Sequence, residues 1–106
     1  MREPPLSSVP EPGYREISRP GEEYPMMSLS VAHGVAVVHY FRDAKSCFLL
    51  SGDGVTEDGA SLDFPILDVV VPFTSEFICD AVHAQGIVEA FARGTDLEAL
   101  GAWTRL

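Results

Sequence analysis

Three apolar runs follow one another between residues 26 and 51, and short polar turns separate them. The runs are MMSLSVA (26–32), VAVVHYF (35–41) and CFLLS (47–51). Runs that are rich in β-branched and aromatic residues and bounded by turn residues are typical of strands. The pattern therefore predicts three strands, of which the last two pair as a hairpin. Because VAVVHYF is apolar on both of its faces, we expect it to be a central strand that is covered on each side.

A fourth apolar segment, LDFPILDVVVP (62–72), is interrupted by Pro65. Proline has no amide hydrogen to give to a neighbouring strand, so it is rare inside paired strands. We therefore expect a short edge strand that ends near Pro65 and a better strand over residues 66–71.

After residue 74 the spacing of the apolar residues changes to that of a helix. One stripe is formed by Phe77, Ile78, Ala81, Val82, Val88 and Phe91. Thr74 or Ser75 is a natural N-cap, and Gly94 is suited to the position after the last helical residue. The sequence TDLE (95–98) has the form of a capping box for one further short turn of helix. Trp103 is large enough to hold the following segment against the core.

Six of the eight prolines fall within residues 1–25. Proline removes amide donors and favours extended neighbours, so we expect residues 1–25 to be a Pro-rich arm without regular elements. A single domain is expected over residues 26–106. Strands followed by a helix predict an α+β fold, with an antiparallel or mixed sheet of about four to five strands and one main helix in the C-terminal half packed on it.

The chain is strongly acidic, with 16 acidic and seven basic side chains and a net charge of −9. Residues 46–92 contain no Lys or Arg but hold eight acids, namely Asp53, Glu57, Asp58, Asp63, Asp68, Glu76, Asp80 and Glu89. This charge argues against nucleic acid or an anionic membrane as a partner and favours a basic protein. Alternatively, the acids only keep the protein soluble.

Several observations predict a cytoplasmic protein. No window approaches the ~18 apolar residues of a membrane helix, and the first residues lack the apolar core of a signal peptide. The two cysteines, Cys47 and Cys79, are too few to crosslink a domain of this size, which agrees with a reducing compartment.

The stretch SGDGVTEDGASLDF (51–64) has the composition of a ligand loop, with four carboxylates and three glycines. An EF-hand alignment with Gly59 as the sixth residue supplies only Asp58 as a ligand, and Pro65 takes the place of the bidentate Glu. Neither glycine-rich phosphate motif is present, and no Lys accompanies the glycines. Gly-Asp-Gly and Glu-Asp-Gly are ordinary turn sequences, so we expect a loop between strands.

Metal binding and nucleophilic catalysis are two further kinds of chemistry to weigh for this sequence. Cys79 and His83 are spaced i, i+4, and His39 and Cys47 lie on neighbouring predicted strands, so zinc is conceivable. Close-spaced ligand pairs are missing, however, and no activating motif accompanies a potential nucleophile. We therefore expect no metal, no cofactor, no catalytic residues and no enzymatic activity.

The order of four segments resembles a family of bacterial polymorphic-toxin immunity proteins, the small antidotes often paired with nucleic-acid deaminase toxins. The segments are VAVVHYF…CFLLSGDG, VVVPF, VEAFARG and LGAW, within residues 26–103. Where the family has a Thr-Gly-x-x-Pro turn after the helix, this chain has RGTDLEALG. The resemblance implies a protein that binds and neutralises a cognate secreted toxin, and it assigns no catalytic residues.

An acidic antidote can occlude the basic active-site cleft of such a toxin. The acidic contacts are expected at Asp53, Glu57, Asp58 and Asp63, with Tyr40 and Phe73 as apolar anchors. Two alternatives stay open. One is a small acidic protein-interaction or assembly module of unrelated function, and the other is an enzyme or metal protein.

Overall fold

The structure, a computed structural model, describes residues 11–106. In chain order, its strands are β1 (Gly13–Ser18), β2 (Met26–Ala32), β3 (Val35–Asp43), β4 (Ser46–Leu50), β5 (Ser61–Ile66), β6 (Val69–Thr74), β7 (Cys79–Asp80) and β8 (Trp103–Arg105). Its one α-helix in this range is α1 (Ala81–Ala92), and single turns of 3₁₀ helix span Ser75–Phe77 and Leu97–Ala99. The predicted α+β class with one main helix in the C-terminal half is confirmed.

Six strands form an antiparallel sheet, and β5 pairs only with β6. The order across the main sheet is β1-β2-β3-β4-β8, and the two-residue strand β7 pairs with the start of β3. The three predicted strands over residues 26–51 correspond to β2, β3 and β4 and are confirmed. His33 and Gly34 have φ angles of 58° and 78°, the positive values that a two-residue hairpin turn between β2 and β3 favours.

The expectation that residues 1–25 lack regular elements is wrong for Gly13–Ser18, which form the edge strand β1. β1 pairs with β2 along its whole length, from Gly13 opposite Val31 to Ser18 opposite Met26. The side chain of Ile17 packs against the core. Pro12 and Pro20 lie just outside the strand, where no ladder hydrogen bond is lost. Residues 1–10 of the predicted arm lie outside the described part of the chain.

The predicted break at Pro65 is also wrong, because the chain turns at Leu67 and Asp68 instead. Pro65 lies inside β5, directly opposite Val70. Its carbonyl oxygen accepts a hydrogen bond from Ser30 Oγ at 2.8 Å. The amide and carbonyl of one strand residue point to the same side, so the backbone of Pro65 faces away from β6 and its missing N–H leaves that ladder intact.

The main helix begins later than the sequence predicts. Neither Thr74 nor Ser75 is its N-cap: the cap is Asp80, whose side chain accepts hydrogen bonds from the amides of Val82 and His83. Phe77 and Ile78 lie before the helix, and Ile78 is buried on the opposite face of the sheet. The predicted end is confirmed, because Arg93 is the C-cap and Gly94 follows with φ of 101°.

The main sheet lies between two layers. One face, which carries Met27, Leu29 and Val38, packs against buried residues of α1. The other face, which carries Val37 and Leu49, packs against Phe64 of the β5–β6 hairpin. β3 thus has buried residues on both faces, as its sequence predicts. Among the helices of residues 11–106, none is long and apolar enough to cross a membrane.

Trp103 lies at the start of β8, opposite Leu50. Its indole nitrogen donates a hydrogen bond to the carbonyl oxygen of Leu97 at 3.1 Å, and its ring packs 5.8 Å from that of Tyr40. Trp103 therefore holds this segment and the second 3₁₀ turn against the core, so the predicted short turn and the predicted role of Trp103 are confirmed. The predicted capping box is wrong, because the N-cap of this turn is Asp96, whose side chain makes no capping hydrogen bond.

Candidate functional site

The loop after β4 is joined to residues 75–78 at its first residues. The amide of Gly52 donates to the carbonyl oxygen of Glu76 at 2.7 Å. A Cβ atom at Gly52 would lie 2.6 Å from Ser75 O and 2.8 Å from Ile78 O, closer than real Cβ atoms come. Only glycine therefore permits this approach of two backbone segments.

Asp53 connects the loop to the beginning of α1. One carboxylate oxygen accepts from the amide of Val55 at 3.1 Å, and the other accepts from the amide of Asp80 at 2.9 Å. Asp80 in turn caps α1 through its own carboxylate. Two acidic side chains are thus held next to each other, because each satisfies backbone donors that would otherwise lack a partner.

Glu57 and Asp58 lie in a turn that is joined to the same segment. The amide of Ala60 donates to the carbonyl oxygen of Glu57 at 3.0 Å, and the amide of Gly59 donates to Ser75 Oγ at 3.1 Å. Both side chains are exposed.

These contacts bring acids from two stretches of the chain to one end of the sheet. We call the exposed side chains Asp53, Glu57, Asp58 and Glu76 the acidic edge. The sequence prediction included the first three and missed Glu76. Glu76 belongs to residues 46–92, the span without Lys or Arg, so the sequence marks it as one of the unneutralised acids. That Glu76 lies beside the loop follows only from the close approach at Gly52.

Basic side chains lie at the other end of β3. The acidic edge is next to Asp80, which pairs with Val35 at the start of that strand. Arg42 is near the end of β3, and Lys45 lies in the turn that follows. The nine residues of β3 separate its two ends by about 26 Å. Within residues 11–106 one ion pair is present, between Arg42 and Asp43 at 3.9 Å. The acidic edge and these two basic side chains therefore lie at opposite ends of β3.

Asp63 is exposed on the outer face of the β5–β6 hairpin, directly opposite Pro72. Its neighbour Phe64 points inward and is fully buried. The outer face begins at the base of the hairpin, where the amide of Ser75 donates to Ala60 O at 2.9 Å. Asp63 therefore continues the acidic edge onto the hairpin.

The two aromatic residues expected to anchor a partner lie in different layers. Tyr40 is half-buried on the helix face, with ring centroids 5.9 Å from Phe48 and 6.1 Å from Phe91. Phe73 is half-buried on the hairpin, with its ring centroid 6.0 Å from that of Phe64. The rings of Tyr40 and Phe73 lie on opposite sides of the main sheet, so they do not form one contact surface. Their roles as anchors stay predictions.

The four side chains considered for zinc do not come together. Cys79 is in the helix-face core, His83 is exposed, and His39 is buried between the sheet and the hairpin. No group of three or more candidate ligands is found in the described residues. Burial raises the pKa of the Cys79 thiol to about 12 and raises that of Cys47, so both thiols stay protonated at neutral pH.

No family model, curated protein or solved structure matches this chain. The most distinctive surface of the described residues is the acidic edge, which is held in place by backbone hydrogen bonds and extends onto the hairpin. Exposed carboxylates without nearby bases attract basic groups over about one Debye length, roughly 8 Å at physiological salt. The arrangement can contact a basic protein surface.

Proposed function

We propose that this protein is a bacterial immunity protein. It binds a cognate secreted toxin, a basic protein that targets nucleic acid, such as a deaminase, and occludes the active site of that toxin without catalysis. The observation that carries the proposal is the acidic edge. Four exposed carboxylates from two chain segments lie at one end of the sheet, within a span of the sequence that has no Lys or Arg.

The physical reason is charge complementarity. A toxin that acts on nucleic acid needs positive charge to attract phosphates, and an acidic surface of matching size can cover the same cleft. Opposite charges speed the encounter of two proteins and disfavour wrong partners. The resemblance to immunity proteins supports the same function.

The rigidity of the edge also supports binding. Asp53 is fixed by two backbone amides, and the turn at Glu57 and Asp58 is tied to Ser75. Association costs free energy wherever loops must become ordered, so a loop that is already ordered loses less on binding.

The test uses the protein encoded by the gene next to that of this chain, produced as an inactive toxin domain. The double variant Glu57→Lys and Asp58→Lys is expected to lower the association rate constant by about tenfold or more and to weaken its salt dependence. Stopped-flow or surface-based kinetics at several salt concentrations measures both quantities.

The matched control is Glu22→Lys and Glu23→Lys, which makes the same change in net charge. Both control residues are exposed and precede β2, whose first residue pairs with Phe41 near the basic end of the sheet. We expect this pair to have a much smaller effect. Equal effects of the two double variants would rule out the acidic edge as the contact. If the native chain neither binds the neighbouring protein nor protects cells that express the active form, the immunity function is wrong.

A further inference from the structure

Three large apolar side chains are exposed at the end of the β5–β6 hairpin. Leu67, Val69 and Val70 are 67%, 58% and 66% exposed, and we call them the apolar tip. They account for half of the six large exposed apolar side chains among residues 11–106, and they fall within four consecutive positions. Such a grouping is more typical of an interaction site than single exposed apolar residues are.

The hairpin extends beyond the sheet that it covers. Phe64, Ile66 and Val69 lie in one row on one face of the hairpin, because opposite residues of a hairpin share a face. This row faces the sheet. Phe64 is fully buried, but Val69 in the same row is mostly exposed. No layer of the described residues therefore lies beneath Val69, and the tip projects into solvent.

Leucine is an unusual residue for the backbone conformation at position 67. Its φ is 56°, in the left-handed region that a bulky residue rarely adopts. Glycine is the usual residue where a two-residue hairpin turn needs a positive φ. Because the side chain of Leu67 is 67% exposed, packing among residues 11–106 does not account for leucine at this position.

The apolar tip and the acidic edge belong to one surface. The outer face of the hairpin runs from Thr74 past Asp63 and Pro72 to Val70, a length of about 13 Å for five strand residues. Asp68 lies next to Leu67 in the turn, and residues 46–92 contain no Lys or Arg. An apolar end bordered by acids is complementary to an apolar pocket bordered by Lys or Arg.

Side chains rather than backbone edges are suited to make this contact. Each strand of the hairpin contains one proline, Pro65 in β5 and Pro72 in β6. Proline on an edge strand removes an amide donor and discourages the addition of a further strand. A partner is therefore expected to meet the hairpin through Leu67, Val69 and Val70.

We propose that the apolar tip inserts into an apolar pocket, bordered by Lys or Arg, on the same basic toxin domain that the acidic edge contacts. This inference rests on the proposed function and adds the source of affinity. The acids speed association, and desolvation of the three apolar side chains slows dissociation.

The decisive variant is Leu67→Gly, because it removes the side chain and relieves the backbone. With the inactive domain from the neighbouring gene as the probe, the dissociation rate constant is expected to rise about tenfold or more. The association rate constant and its salt dependence are expected to stay at native values. The midpoint of thermal unfolding should be at least as high as in the native chain. Val70→Ser is expected to change the dissociation rate in the same direction.

Leu106→Gly is the matched control, since Leu106 is 65% exposed. Its amide donates to the carbonyl oxygen of Cys47, at the end of β4 that lies away from the acidic edge. It should dissociate like the native chain. If Leu67→Gly also dissociates at the native rate while charge reversal at Glu57 and Asp58 slows association, the tip is not a contact but the proposed function stands. If the native chain does not bind the probe, both are wrong. If the native chain dimerises in sedimentation experiments and Leu67→Gly does not, the tip binds a second copy and the proposal is overturned.

Discussion

His39 is a buried titratable side chain between the main sheet and the hairpin. It is 9% exposed, and its Nδ1 atom has no hydrogen-bond partner among the described residues. Its ring lies 6.0 Å from that of Phe41 and 5.6 Å from that of Phe73. Burial lowers the pKa of His39 from 6.5 to about 4, because the surroundings offer nothing to replace the hydration of a charged imidazole.

The lowered pKa of His39 predicts a loss of stability in weak acid. Between pH 6.5 and pH 4 the unfolded chain binds a proton at this residue that the folded chain does not. The stabilisation is therefore complete above pH 6.5 and decreases as the pH falls toward 4. We expect a decrease of about 2 kcal/mol in the free energy of unfolding between pH 7.5 and pH 5.

Urea unfolding at the two pH values measures this decrease. The variant His39→Leu should lose much less stability over the same interval, whatever its stability at pH 7.5. An equal pH response in His39→Leu and the native chain would show that His39 is not the group responsible.

Gly52 and Gly86 predict opposite effects for the same substitution. Gly52→Ala places a Cβ 2.6 Å from Ser75 O, so a backbone segment must move, and we expect a loss of about 2 kcal/mol or more. Gly86→Ala lies in α1 with nothing within 4 Å and should gain about 0.5–1 kcal/mol. Chemical unfolding of both variants measures the difference. A neutral result for Gly52→Ala would contradict the close approach that positions the acidic edge.

At the scale of elements, the N-terminus of α1 depends on one side chain. Asp80 accepts hydrogen bonds from Val82 N at 3.0 Å and His83 N at 3.2 Å. Asp80→Ala removes this cap and should lower the free energy of unfolding by about 1 kcal/mol. Asp80→Asn keeps an acceptor of similar capping strength and should cost much less. Comparable losses in both variants would indicate that the charge of Asp80, rather than its hydrogen bonds, supports the helix.

The same region shows which elements the sequence could predict. β2, β3 and β4 are predictable because each is a short apolar run bounded by turn residues, with Gly34 between β2 and β3. β3 is in addition rich in β-branched and aromatic residues, which favour strands. The start of α1 was misplaced because Phe77 and Ile78 continue the helical spacing by coincidence. Ile78 instead contributes to the core beneath the hairpin. That choice depends on the packing of Gly52 against residues 75–78, which no local pattern reveals.

The candidate site was predictable in part for the same reason. Asp53, Glu57 and Asp58 are consecutive enough in sequence to suggest one acidic loop, and the structure places them there. Glu76 joins them only through a contact between segments more than 20 positions apart. Leu67 and Val70 were predicted as ordinary parts of a strand, because their exposure depends on how far the hairpin extends past the sheet.

At the scale of the whole molecule, the two proposals divide binding between charge and apolar contact. The acidic edge lies at the start of β3, and the basic turn with Arg42 and Lys45 lies beyond its end. In these proposals the acidic edge attracts a basic partner during approach. The apolar tip acts only after contact. Charge variants should therefore change the rate of association, and tip variants the rate of dissociation.

The two ends of segment 53–75 meet where Gly52 bonds to Glu76 and closely approaches residues 75–78. The segment therefore leaves the main sheet and returns to it at nearly the same place, and its inward row packs on the core. Among the described residues of the outward row, only Pro65 bonds to a strand below, and substitutions at the other, exposed positions of that row change the surface without disturbing the strands below. Partner choice and fold can thus diverge independently in evolution, and an outward row transplanted from another such protein would carry its specificity to this scaffold.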